Sequence, residues 1–324
     1  MDPELAIAVP LIPKFPFSEL APSRRTVDEL IAAFPVDLSG IRVTDRLVPG
    51  PAGAPEVSVR IFTPDRPTGD VTAAADRAGV LDIHGGGFAL GTVALDDASN
   101  AAIARELDVV VVSVEYRLAP EHPFPAPAED CYAALVWFAA HATELGVDPA
   151  RIAVLGDSAG GGLAATTALL ARDRGGPPLA MQVLIEPELD DRLDTHSMRT
   201  GADTVGWDNA QAVHSWRYYL GDAPATPYAA PARMDDLTGL PPTFLSVNEL
   251  DCLRDEGLAY AQRLLIAGVP TELHCWPGAF HGFATLVPTA AVAVRATAVL
   301  HDALRRGLGV PAVDDLSGLL APAT

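Results

Sequence analysis

Ile152-Ala153-Val154-Leu155-Gly156-Asp157-Ser158-Ala159-Gly160-Gly161-Gly162-Leu163 decides how the rest of the chain is read. Four apolar residues run into Gly-Asp-Ser-Ala-Gly, and an Ala/Leu-rich segment over 163–171 follows. The first run predicts a short buried strand and the second a helix, so the chain must turn sharply between them. Glycines flank one serine at that turn, which is the Gly-x-Ser-x-Gly pattern of a nucleophile elbow. Gly156 and Gly160 stand where any Cβ would strike the neighbouring strand or helix, and the serine takes a strained backbone. Ser158 Oγ then projects at a helix N-terminus, where free N–H groups favour a developing negative charge. An ordinary serine on a glycine-rich turn fits the same five residues, so the pattern alone does not separate the two.

The chain has 324 residues, 49% of them hydrophobic, enough for one large core or two small ones. Its net charge of −20 disfavours nucleic acid and anionic membranes as partners. Three cysteines, Cys131, Cys252 and Cys275, are an odd number without metal-ligand spacing, so neither a disulfide framework nor a zinc site is expected. No basic leader or long apolar run follows Met1, so a cytoplasmic location is expected, with no membrane span.

Outward from the elbow, the chain alternates strands and helices. Ser23 is expected to cap a helix over 26–34. Segments 41–48 and 56–63 alternate as an antiparallel pair, and 64–79 reads as a polar loop. Strand 80–83 ends in His84-Gly85-Gly86-Gly87-Phe88, a naked backbone whose N–H groups can approach a ligand. Helix 96–107, strand 109–114 and helix 128–145 lead to the elbow, and strand 181–185 follows its helix. Strands separated by helices predict an α/β fold with a mostly parallel sheet. The alternation breaks after Pro187: 190–237 reads as an inserted helical cap, most helix-like over 205–220. Strand 243–247, helix 254–267, strand 271–276 and helix 290–307 complete the sheet. The expected domains are an N-terminal cap segment (1–40), a catalytic body (41–189 and 238–324) and the cap insertion (190–237).

A serine hydroxyl needs a base, and the base needs a partner that fixes its tautomer. Ser158, Asp251 and His281 follow successive strands in the order Ser…Asp…His of α/β-hydrolases, at strand ends that a parallel sheet would gather. Glu249 and Asp255 compete with Asp251 for the acid, but Asp255 suits a helix first turn. Asp157 is expected to point away and hydrogen-bond locally. His196 and His214 fall in the expected cap; His122, His141, His274 and His301 read as surface or packing residues.

His84-Gly85-Gly86-Gly87, Tyr116 to Glu121, Gly156 to Gly160, Asp251 to Gly257 and Pro277 to Phe283 together resemble the hormone-sensitive-lipase family of esterases, bacterial family IV of the α/β-hydrolases. The resemblance spans about residues 40 to 310. It implies Ser158 as nucleophile, His281 as general base and acid, and Asp251 as the orienter of the imidazole. It implies an oxyanion hole from the N–H groups of Gly86, Gly87 and Ala159, on a loop shaped by His84 and Gly85. It further implies a cap over a pocket for modest acyl groups, and a homodimer through 271–307. Trp207, Trp216 and Tyr219, with Phe88, Glu186 and Phe283, are the candidate pocket lining; the aromatic stripe fits a packed cap core equally well. One departure is Glu186, where relatives often carry an aromatic residue. A solvated or salt-bridged glutamate is the plainer reading; a carboxyl near the site with a raised pKa is the alternative.

The expected activity is hydrolysis of small esters through an acyl-enzyme, with no metal and no cofactor. Amide, carbamate or lactone hydrolysis by the same residues is a second expectation. A non-catalytic receptor on this fold is a third, disfavoured because His281 is present.

Overall fold

The computed structural model describes residues 1–12, 15–33, 36–65 and 76–311. Most of the expected 64–79 loop and the tail beyond 311 lie outside the described residues. Eight strands form one sheet in the order β1-β2-β4-β3-β5-β6-β7-β8. They are β1 (Ile41–Val48), β2 (Val57–Pro64), β3 (Arg77–Ile83), β4 (Val110–Glu115), β5 (Val147–Asp157), β6 (Met181–Ile185), β7 (Thr243–Asn248) and β8 (Thr271–Trp276). β1 and β2 are antiparallel to each other, and β2 is antiparallel to β4. All remaining pairs are parallel, as helical crossovers require. β3 and β4 are buried almost throughout, and their Val/Leu/Ile runs suit a sheet covered on both faces.

The helices are α1 (Pro3–Ala8), α2 (Leu20–Ala33), α3 (Asp97–Leu107), α4 (Ala126–Ala140), α5 (Ala159–Asp173), α6 (His196–Thr200), α7 (Asn209–Leu220), α8 (Arg254–Ile266), α9 (Phe283–Leu286) and α10 (Ala291–Gly307). α5 sinks into the core between sheet and outer helices: Ala159 through Ala171 are all buried. On the opposite face, Ala303 and Leu304 of α10 pack with Val80, Ala153 and Phe244. No helix among the described residues is long and apolar enough to cross a membrane.

Two helix starts differ from expectation. α2 begins at Leu20, not after Ser23, because Pro22 sits in the first turn, where its missing N–H costs nothing. Ser23 is inside the helix and buried, and its hydroxyl donates to the Pro16 carbonyl at 3.1 Å. α7 begins at Asn209 rather than 205, because Asp208 and Gln211 close a reciprocal capping box. The N-terminal segment and the 190–237 segment bind each other: Tyr218 Oη donates to the Phe17 carbonyl, and Gln211 Nε2 to that of Phe15.

Candidate active site

The turn after β5 is as tight as its glycines demand. Ser158 has φ 56°, a left-handed value that a side-chain-bearing residue rarely adopts. A Cβ on Gly160 would overlap the Ile83 carbonyl, so only glycine lets α5 start against the end of β3. The Ser158 N–H donates to Ile185 O at 2.8 Å, and its carbonyl accepts from Glu188 and Gly162. The strained residue is therefore held from both sides by β6 and α5.

Ser158, Asp251 and His281 come together although 123 and 30 residues separate the bonded pairs. His281 Nε2 lies 2.8 Å from Ser158 Oγ, and its Nδ1 lies 2.7 Å from Asp251 Oδ2. A carboxylate only accepts, so Nδ1 carries the hydrogen and Nε2 presents its lone pair to the serine. Asp251 is itself fixed, since its Oδ1 accepts from the Leu253 N–H at 2.9 Å. The competing acids are engaged elsewhere. Glu249 accepts from the Gly278 N–H, and Asp255 accepts from Ser197 N and Arg254.

The Gly85–Gly87 loop follows β3 beside the serine. Gly86 and Gly87 have φ 117° and 56°. A Cβ on Gly87 would stand 2.5 Å from the Phe17 ring and 2.6 Å from the Trp207 ring, so a bare backbone is sandwiched between the two outer segments. Among the described residues the N–H groups of Gly86 and Gly87 have no acceptor. That of Ala159, the first residue of α5, has no intrahelical acceptor by construction. His84 is buried and donates from Nδ1 to the Gly85 carbonyl at 2.8 Å. Burial pushes its pKa down to about 4, so it is a neutral ring. It stacks on Tyr116 at 4.3 Å, and Tyr116 Oη donates to the His84 carbonyl.

Glu186 corrects the plainer expectation. It is 4% exposed, not solvated, and has no arginine partner among the described residues. Its φ is +38°, and its Oε1 accepts from the Gly282 N–H at 2.6 Å while Oε2 accepts from Asn248 Nδ2. Oε2 lies 3.9 Å from His281 Nδ1, so a second carboxyl faces the nitrogen that Asp251 binds. Asp157 bonds locally to the Ser158 backbone, as expected, but its carboxyl also shares a hydrogen bond with Glu186, which requires a proton between the two carboxyls. Burial raises the pKa of both, and the neighbouring acids add to the effect on Glu186. For His281, burial lowers the pKa, but Asp251, then Glu186 and Asp157, outweigh it and push it up to about 10. A proton held by Glu186 and Asp157 removes part of that upward push and leaves Asp251 as its largest source.

The expected pocket residues divide into three places. Phe88, Trp216 and Tyr219 are buried in the main core, with Phe88 stacked on Tyr219 at 3.9 Å. Trp207 stands over the histidine, ring centres 6.0 Å apart, and meets Phe17 edge-on. Phe283 and Glu186 instead line a cavity of about 340 Å³ behind the site, with Asp82, Asp96, Asp157 and Phe244. Glu186, Asp251 and His281 bring one donor atom each within 4.8 Å, but both ring nitrogens of His281 are already bonded, so a metal would have to displace Asp251 or Ser158. Cys252 is a buried thiol in the cluster around Trp207, and burial pushes its pKa up.

Sequence reasoning missed Phe17, Asn248, Glu188 and Ser215. Asn248 ties Glu186 to the Phe280 carbonyl, one residue before His281. The missing signal for Asn248 was its place at the end of β7, on the same sheet edge as Ser158, Glu186, Asp251 and His281.

A family model described as alpha/beta hydrolase fold matches residues 80–285. The carboxylesterase NlhH of Mycobacterium tuberculosis is 42% identical over 277 residues, 82% of this chain and 84% of that protein. The esterase LipI of the same species is 41% identical over 257 residues, covering 77% and 78%. Among solved structures, a bacterial heroin esterase superposes with a TM-score of 0.91 at 52% identity, over 95% of this chain and 98% of that one. The esterase LipW from Mycobacterium marinum gives 0.84 at 39% identity, over 95% and 96%.

Proposed function

The chain belongs to the alpha/beta hydrolase fold family, in its hormone-sensitive-lipase-like branch, and from that premise we propose that it is a carboxylic ester hydrolase using a Ser158–His281–Asp251 triad. The observation that carries the reading is the unbroken hydrogen-bond line from Ser158 Oγ through His281 to Asp251. Ser158 Oγ attacks the ester carbonyl as His281 Nε2 takes its proton. The negative charge on the carbonyl oxygen faces the N–H groups of Gly86, Gly87 and Ala159. The C–O bond to the alcohol breaks as His281 returns the proton to the leaving oxygen. Water then attacks the acyl-Ser158 ester, again giving its proton to His281, and the acid departs with Ser158 restored. Asp251 holds the ring in the Nδ1–H tautomer and stabilises the imidazolium in both steps. No step needs a cofactor.

The N-terminal segment and the 190–237 segment act as the cap. Phe17 and Trp207 close over the glycine loop, and this cap is expected to restrict the site to modest acyl groups. The test pairs p-nitrophenyl esters from acetate to palmitate with intact mass after a fluorophosphonate probe. Turnover favouring short chains and a single adduct are expected. Ser158→Ala should lose both, with turnover down by about 10³-fold or more and the fold retained. Ester turnover surviving in that variant would overturn the mechanism.

A further inference from the structure

Glu188 lies two residues beyond Glu186 and is 0% exposed. Its backbone N–H donates to the Ser158 carbonyl at 3.0 Å. Its side chain meets Ser215 of α7, with Oε2 3.2 Å from Ser215 Oγ. The same hydroxyl stands 3.1 Å from the carbonyl oxygen of Gly87. Ser215 is itself fully buried, so no water competes for it.

A hydroxyl has one hydrogen, and both of its neighbours here are oxygens. The Gly87 carbonyl can only accept. If Ser215 gives its hydrogen to Gly87, the other contact is a hydrogen bond only when Glu188 carries a proton and donates it. If Glu188 is ionised, it takes the Ser215 hydrogen and leaves the buried Gly87 carbonyl without that donor. The surroundings favour the proton. The titratable groups that face Glu188 are Tyr219 from α7, Glu256 from α8, Asp251 and Cys252 from the loop before α8, and His281 from the loop after β8. None is an arginine, and Glu188 Oε1 has no hydrogen-bond partner among the described residues. Burial, only partly offset by Ser215 and His281, pushes the Glu188 pKa up to about 8.

We propose that Glu188 is a positioning residue: as a neutral acid it donates to Ser215, which donates to the Gly87 carbonyl and so locks the loop whose N–H groups face the reacting carbonyl. Above its pKa the chain of donors reverses at Ser215 and the loop is released. This rests on the reading of Gly86 and Gly87 as oxyanion donors.

The test is the pH dependence of kcat for a short-chain p-nitrophenyl ester between pH 6.5 and 9.5, with parallel rates of fluorophosphonate labelling. The parent should lose about fivefold in kcat across a step near pH 8, the rate equivalent of one neutral hydrogen bond, with KM little moved. In Glu188→Gln the amide can donate to Ser215 at every pH, so the step should vanish. In Ser215→Ala kcat should be about fivefold low at all pH values, again without the step. A parent without a step, a step of the same size in Glu188→Gln, or wild-type kcat in Ser215→Ala each overturns the proposal. If Glu188→Gln does not fold, judged by circular dichroism, Ser215→Ala decides alone. The labelling rates separate the two levels. A parent whose Ser158 is labelled, with an unlabelled and inactive Ser158→Ala, keeps the ester hydrolase reading whatever Glu188 does. An unlabelled parent removes both.

Discussion

Asp251→Ala is the perturbation for which this site departs most from a plain three-residue relay. Removing the acid that orients a catalytic histidine ordinarily costs about 10⁴ in kcat, or roughly 5.4 kcal/mol. Here Glu186 Oε2 waits 3.9 Å from His281 Nδ1, against 2.7 Å for Asp251 Oδ2. With Asp251 in place, its charge helps to hold the proton on Glu186. Without Asp251 that restraint goes, and Glu186 can ionise against a protonated ring. At equal dielectric the Coulomb energy scales inversely with distance, so an ionised Glu186 supplies roughly two-thirds of the lost interaction. The remaining third corresponds to a loss of about 20-fold. Asp251→Ala should therefore retain far more activity than such a deletion ordinarily leaves, and Asp251→Ala/Glu186→Gln should fall to about 10⁻⁴ of the parent. Glu186→Gln alone should cost less than about tenfold, because the parent residue is already neutral. Steady-state kcat on one p-nitrophenyl ester at pH 7.5, for all four proteins, closes the cycle. If Asp251→Ala alone loses the full 10⁴ and Glu186→Gln adds nothing to it, Glu186 does not act on the ring and the reasoning fails.

Two further outcomes follow from particular contacts. Gly87→Ala forces a Cβ to 2.5 Å from Phe17 and 2.6 Å from Trp207 at φ 56°. It should cost about 1–2 kcal/mol in backbone strain and lower kcat by about 10²-fold by moving one N–H; wild-type kcat in a folded variant would contradict the role given to this loop. Glu188 also links stability to pH. In the unfolded chain it ionises near 4.3, whereas in the fold it keeps its proton to about 8. Between those values the native state binds more protons, so this residue's contribution falls as pH rises, by at most about 1.4 kcal/mol per unit. Calorimetry at pH 5, 6.5 and 8 should show Glu188→Gln gaining Tm relative to the parent as pH rises; a constant difference refutes the assignment.

The parallel sheet was legible because its cause is local. Apolar runs such as 152–155 and 181–185 have the length and composition of buried strands, and the helices between them force the parallel crossovers. The serine, acid and histidine were legible for the same reason, since each follows a strand directly and the sheet aligns the strand ends. What failed was punctuation. Ser23 read as a cap when Pro22 already stood in the helix's first turn, and the Asp208–Gln211 box went unread behind Gly206 and Trp207.

Glu186 failed for a different reason. Its side chain is surrounded by groups from three separate stretches: Asp157, Asn248, and the adjacent His281 and Gly282. No spacing in the sequence encodes that convergence, and composition argues against it, because in a chain of net charge −20 a glutamate is expected in water. The same applies to Glu188, whose partners Ser215 and Gly87 lie 27 and about 100 residues away. Burial without a cation leaves a carboxyl one inexpensive course, which is to keep its proton and become a hydrogen-bond donor. A neutral acid can then sit beside the histidine proposed as the base without trapping it in the charged form. That is why Glu186 and Glu188, buried beside the site without a cation, are the acids least like the acidic surface.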